Sequence, residues 1–89
     1  MIKKYCNLSI KTPIKSLIYK KCQLIKCYSI NGNFTIYPSH ESYISLLKMS
    51  KLLIVKENET IIFYISNNTI LIYENSNSIC NLITKTLIE

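Results

Sequence analysis

With 89 residues, one glycine, no arginine and no aspartate, the chain has the length of one domain and little of the punctuation that loop-built active sites need. Its 48% hydrophobic content excludes disorder, and its longest apolar run, Ile61 to Ile65, is far short of the ~20 residues of a membrane-spanning helix. The net charge of +6 rests on lysine alone, so the bidentate guanidinium that commonly reads guanine or clamps phosphate is missing.

The start, "MIKKYCNLSI", has a basic pair but no apolar core or small-residue cleavage site, so a cytosolic protein without a signal peptide is expected. The 17 isoleucines, 11 lysines and 9 asparagines, with no alanine, fit an AT-rich genome, and the lysines read first as a solvated surface.

Taken in chain order, β signals recur. "YCNLSI" alternates, placing Cys6, Leu8 and Ile10 on one face, and Thr12-Pro13 breaks it. Residues 14–30 carry two consecutive strands. Their apolar register shifts between Cys22/Leu24 and Ile25/Cys27, which predicts a bulge or a change of face. Asn31-Gly32 predicts a type I′ hairpin, because both central residues of that turn need positive φ. "FTIY" follows, and Pro38 ends it by removing a ladder donor.

"SYISLL" and "KLLIVK" read as further strands, with a helix over 41–48 as a secondary alternative. "TIIFYIS" reads as a strand covered on both faces, because its apolar run is unbroken. "TILIY" and a last strand, "ICNLIT", complete the pattern. Eight to ten short strands with frequent turns predict an all-β fold over residues 1–89, a small antiparallel β-sandwich or flattened barrel.

Candidate chemistry is sparse. Cys6, Cys22, Cys27 and Cys80 show no close pair, against zinc, and read as small buried hydrophobes. His40-Glu41 is the only acid/base-looking pair, and adjacent residues on an extended segment point to opposite sides. One glycine excludes a Gly-rich phosphate loop. No enzyme, cofactor or metal is expected.

The stretch "NGNFTIYPSHESYISLLKMSKLLIV" resembles the epsilon subunit of F-type ATP synthases. That family's amino-terminal β-sandwich carries a Glu-Gly-Glu-Leu/Phe-Gly-Ile/Val-Tyr/Leu-Pro-Gly-His-Ala-Pro run, an apolar strand, Lys-Pro-Gly and another apolar strand. Gly32, Phe34, Ile36, Tyr37, Pro38, His40 and Lys48 fall on the pattern without a gap. Leu8, Ile10, Ile25 and Cys27 occupy its apolar positions, and residues 63–68 resemble its Phe-x-x-x-Ser-Gly-Gly turn. Ser39, Ser42, Met49-Ser50 and Asn67-Asn68 replace its Gly, Pro, Pro-Gly and Gly-Gly, and its closing Ala-Asp is absent near Ile83-Thr84. Asparagine is the least costly of these replacements where φ must be positive.

The resemblance implies a non-catalytic central-stalk subunit, coupling the gamma subunit to the c-ring as a peripheral part of the complex at the cytoplasmic face of the membrane, with no membrane insertion. It implies ring contacts at Asn31, Gly32 and Asn33, where the family's acidic residues have become asparagine, and gamma contacts at Thr12, His40 and Ser45. The family continues with a helical hairpin that regulates ATP hydrolysis. A chain ending at Glu89 is expected to lack that function. Part of the sandwich's outer face is expected to stay apolar when alone. The alternative from composition is a small β-barrel binding single-stranded nucleic acid, since net charge +6 and seven tyrosines suit a cationic, stacking groove.

Overall fold

The structure, a computed structural model, describes residues 4–30, 32–38 and 41–88. Ten strands follow in order: β1 Cys6–Lys11, β2 Ser16–Cys22, β3 Leu24–Ser29, β4 Gly32–Ile36, β5 Tyr43–Leu47, β6 Ser50–Val55, β7 Thr60–Ile65, β8 Thr69–Glu74, β9 Ile79–Ile83 and β10 Leu87–Ile88. They form two five-stranded sheets, β2-β1-β9-β8-β5 and β10-β7-β6-β3-β4. The first is called sheet A here and the second sheet B. The helical alternative over 41–48 gives way to β5, because Leu47 faces the core while Ile44 and Leu46 face out.

The sandwich forms because alternate residues of both sheets are apolar and can meet in one layer. Cys6, Leu8 and Ile10 of β1 face Leu52 and Ile54 of β6, Phe63 and Ile65 of β7, and Leu71, Tyr73, Cys80 and Leu82 in a single buried cluster. All four cysteines are free and buried, as small hydrophobes should be. Burial pushes the Cys6 and Cys80 thiols up to about 12.

All pairings are antiparallel except β1–β9, where Leu8 sits beside Cys80 and Ile10 beside Leu82 in parallel. The parallel pair arises because β9 returns from the β8 hairpin running the same way as β1 and fills the gap between β1 and β8.

Four local expectations change. The run Thr60–Ile65 is covered on one face only: Phe63 and Ile65 are buried while Ile62 and Tyr64 are exposed. In the β3–β4 hairpin Ser29 pairs with Gly32, so Gly32 begins β4 rather than ending the turn. It still needs its positive φ, +132°, a value L side chains rarely adopt. The bulge lies upstream of its predicted place: Cys6 pairs with Cys22 but Leu8 with Tyr19, so β2 carries one extra residue. Lys21 there takes φ +56°, and the Asn7 side-chain oxygen accepts its N–H at 3.2 Å. The predicted change of face at Cys22–Ile25 is a change of sheet, turned at Gln23, whose N–H donates to the Val55 carbonyl at 2.7 Å. The last strand is β10, whose two residues pair with Ile65 and Tyr64.

Polar residues lock both ends. Tyr73, almost fully buried, donates its hydroxyl to the Pro38 carbonyl, while Ser78 Oγ donates to the Tyr5 carbonyl at 2.9 Å. At the other end Thr69 Oγ1 lies 2.8 Å from both the Ser66 carbonyl and Thr84 Oγ1. Among the described residues no buried side-chain polar atom lacks a partner.

Candidate docking surfaces

Register decides which side chains gather on each outer face. On sheet A, Leu46 of β5 pairs with Ile70 of β8, which pairs with Ile83 of β9. One row on, Ile44 pairs with Ile72 and Ile72 with Asn81. Their opposite neighbours Leu71, Tyr73 and Leu82 are buried, so these five apolar side chains point away from the core. Ile44 is 73% exposed and Leu46 66%. A single exposed isoleucine means little, but four exposed apolar side chains around half-buried Ile72, adjacent across three strands, form a face suited to contact with another protein.

Sheet B's outer face is mixed. One cross-strand row runs Asn33, Tyr28, Lys51, Tyr64, Ile88, and the next Thr35, Lys26, Leu53, Ile62. Lys51 therefore stands between two exposed tyrosines.

The residues marked in the sequence fall in two places. Gly32, Asn33 and Ser45 line one cleft of about 240 Å³ where the edges of β4 and β5 meet, with Phe34 and Tyr43 in ring contact at 5.9 Å. Two positions expected to face the ring thus adjoin one expected to face gamma. Thr12 lies apart, at the β1–β2 turn, where its Oγ1 accepts the Lys15 N–H at 3.1 Å. It borders a cleft of about 420 Å³ with Pro13, Ile70, Ile83 and Lys85, and so touches the edge of the apolar face. Ser45 stands between Ile44 and Leu46 on β5 but pairs with buried Leu71, so its side chain points to the other side of the sheet from that face. Asn31 and His40 lie outside the described residues.

The turns that depart from the family pattern support one another. Asn67 uses its side-chain oxygen to accept the Met49 N–H at 2.7 Å, and Ser50 Oγ donates to the Lys48 carbonyl at 2.6 Å. Asn68 takes φ +64°, where asparagine costs little. Ser42 Oγ accepts the Asn75 N–H at 3.1 Å.

The sequence led to the expectation of an apolar outer face but did not locate it, because its residues come from three separate strands. The available signal was that "YISLL", "TILIY" and "NLIT" place isoleucine or leucine at both alternating positions. A strand with one solvated face normally does not.

Residues 5–82 match the family described as ATP synthase, Delta/Epsilon chain, beta-sandwich domain. No curated protein sequence matches the chain. Among solved structures, a chain of the Tetrahymena thermophila mitochondrial ATP synthase central stalk and c-ring superposes with TM-score 0.79 at 15% identity, covering 100% of this chain and 69% of that one. A chain of the Euglena gracilis mitochondrial ATP synthase, in its OSCP/F1/c-ring structure, gives TM-score 0.85 at 13% identity over 99% and 55%. At such identities the likeness speaks for the fold, and the profile match over most of the sequence speaks for descent. The chain belongs to the ATP synthase delta/epsilon β-sandwich domain family.

Proposed function

We propose that this chain is a non-catalytic central-stalk subunit of an F-type ATP synthase, joining the gamma subunit to the c-ring and carrying torque between them. It would sit on the cytoplasmic face of the membrane as a peripheral part of the complex. The observation that carries this reading is the apolar face of Ile44, Leu46, Ile70, Ile72 and Ile83, bordered by Thr12, a position where the family resemblance expects gamma. The β3–β4 hairpin, with Gly32 and Asn33, takes the ring-facing role, and Asn31 and His40 keep their expected partners, ring and gamma. Torque transfer asks only for a stiff body gripped on two sides, and a sandwich closed by buried hydrogen bonds at both ends is such a body.

No helix among the described residues is long and apolar enough to cross a membrane. A tagged copy expressed in its own cells should bring down both gamma and the ring. Recovery of neither sinks the proposal.

A reading as a single-stranded nucleic-acid binder has one observation in its favour, the Tyr28–Lys51–Tyr64 row. That face carries only two lysines, Lys26 and Lys51, and Lys26 is half-buried, too little charge to track a phosphate backbone.

A further inference from the structure

The outermost strands are β2 and β5 in sheet A and β10 and β4 in sheet B. Three of them carry features that oppose further strand pairing. β2 holds Lys20, Lys21 and the bulge, β10 has two residues, and β4 starts at Gly32 with φ +132° and ends two residues before Pro38. β5, Tyr43–Leu47, contains no charge, proline or glycine and no slip in register.

The hydrogen-bond pattern shows which backbone groups β5 offers. Asn7 N–H donates to the Ser78 carbonyl and Thr84 N–H to the Lys11 carbonyl, both at 2.9 Å. Backbone groups of successive residues turn to alternate sides of a strand, so Cys80 and Leu82 face β1 while Ile79, Asn81 and Ile83 face β8. The same alternation through β8 turns Leu71 and Tyr73 toward Ser45 and Tyr43. The N–H and C=O of Ile44 and Leu46 are left on the outer edge, on the two most exposed residues of the apolar face, 73% and 66%.

We infer that the free chain closes this edge with a second copy of itself, β5 against β5, antiparallel about a two-fold axis at Ser45. That register pairs the whole strand, Tyr43 with Leu47 and Ile44 with Leu46. Each Ile44–Leu46 pair exchanges both backbone bonds, and the two copies of sheet A become one. Ile44 and Leu46 of both copies gather over the seam, each with an apolar neighbour across it.

The charges favour the same arrangement. The four described glutamates, Glu41, Glu57, Glu59 and Glu74, lie at the end of the sandwich where β5 begins. Lys11, Lys15, Lys48 and Lys85 lie at the end where it stops. Antiparallel pairing sets one end beside the other. On the outer face, Lys48 of one copy enters the cross-strand row of Glu74 of the other, with Ser42 between them. A second copy supplies this apolar and charge match by symmetry alone. The pairing does not rest on the rotor reading, and it covers an edge that otherwise invites aggregation.

The test is sedimentation velocity of the purified full chain from micromolar to near-millimolar concentration, with hydrogen exchange of single amides over the same range. The expected result is a reversible monomer–dimer equilibrium in which the Ile44 and Leu46 amides slow by roughly tenfold as dimer forms, while the β2 amides keep their rates. Leu46→Lys should raise the dimer dissociation constant at least about tenfold and leave the thermal midpoint unchanged. K48E and E74K should each weaken the dimer, and K48E/E74K together should restore it to within about threefold. A chain that stays monomeric throughout overturns the inference, as does one that grows into larger oligomers. A dimer whose Ile44 and Leu46 amides stay unprotected, or that ignores Leu46→Lys, overturns the edge contact. A double charge variant weaker than either single one overturns the antiparallel register.

Discussion

Replacing Ile44 and Leu46 together by alanine tests the apolar face of sheet A at its most exposed point. Each change removes three carbons, and burial of one carbon contributes about 0.8 kcal/mol. Because 73% and 66% of these residues remain exposed in the free chain, a covering partner still has roughly 1.6 kcal/mol per residue to gain from the removed atoms. The double variant should therefore lose about 3 kcal/mol of gamma binding, or roughly a hundredfold in Kd. Neither side chain contributes to the core, so the folding free energy should move by no more than about 0.5 kcal/mol. The assay is titration calorimetry against purified gamma, with a urea melt of each variant. An affinity within about threefold of wild type, with gamma still bound, would show that this face is not the contact.

Other consequences follow from single residues. Tyr73→Phe removes the hydroxyl that meets the Pro38 carbonyl, leaving Ser78 Oγ at 3.3 Å as that oxygen's partner, so a urea melt should show a loss of about 1 kcal/mol; no loss would refute the buried bond. At φ +64°, Asn68→Ala should cost about 1 kcal/mol while Asn68→Gly is neutral or stabilising, and equal melts for the two would contradict the left-handed turn. The Cys6 and Cys80 thiols, held protonated by burial up to about 12 against an ordinary 9.0, give stability that is complete below pH 9 and drains away as pH rises toward 12. Urea midpoints that stay flat from pH 9 upward would oppose that linkage. A labelled single-stranded oligonucleotide should show no gel shift at low salt, and a salt-sensitive shift would revive the nucleic-acid reading.

Much of the fold was legible because a sandwich strand announces itself by alternation. Cys6, Leu8 and Ile10 read as one buried face and are one. Pro38 read as the end of a strand, and its carbonyl became the anchor of Tyr73. What was lost has physical causes. Periodicity within a strand does not say which face meets solvent when both are apolar, so Ile62 and Tyr64 were placed inside. It does not reveal strand partners either, so the β1–β9 pair and the two-residue β10 went unseen. A switch between sheets and a slip in register look alike in one dimension, which is why Gln23 was read as a bulge or change of face. The surfaces suffered most: the apolar face assembles from residues far apart in sequence. The family resemblance supplied the expected contact positions, and only the structure showed that Thr12 borders the apolar face while Ser45 turns to the other side of its sheet.

Ion-driven ATP synthesis measures the coupling role directly. Membrane vesicles from cells depleted of this chain should make ATP poorly when an ion gradient is imposed. Adding back the wild-type chain should restore synthesis, while the I44A/L46A variant should restore it only at much higher concentration. Synthesis that is unimpaired by depletion, or restored equally by both chains at limiting concentration, would contradict the account.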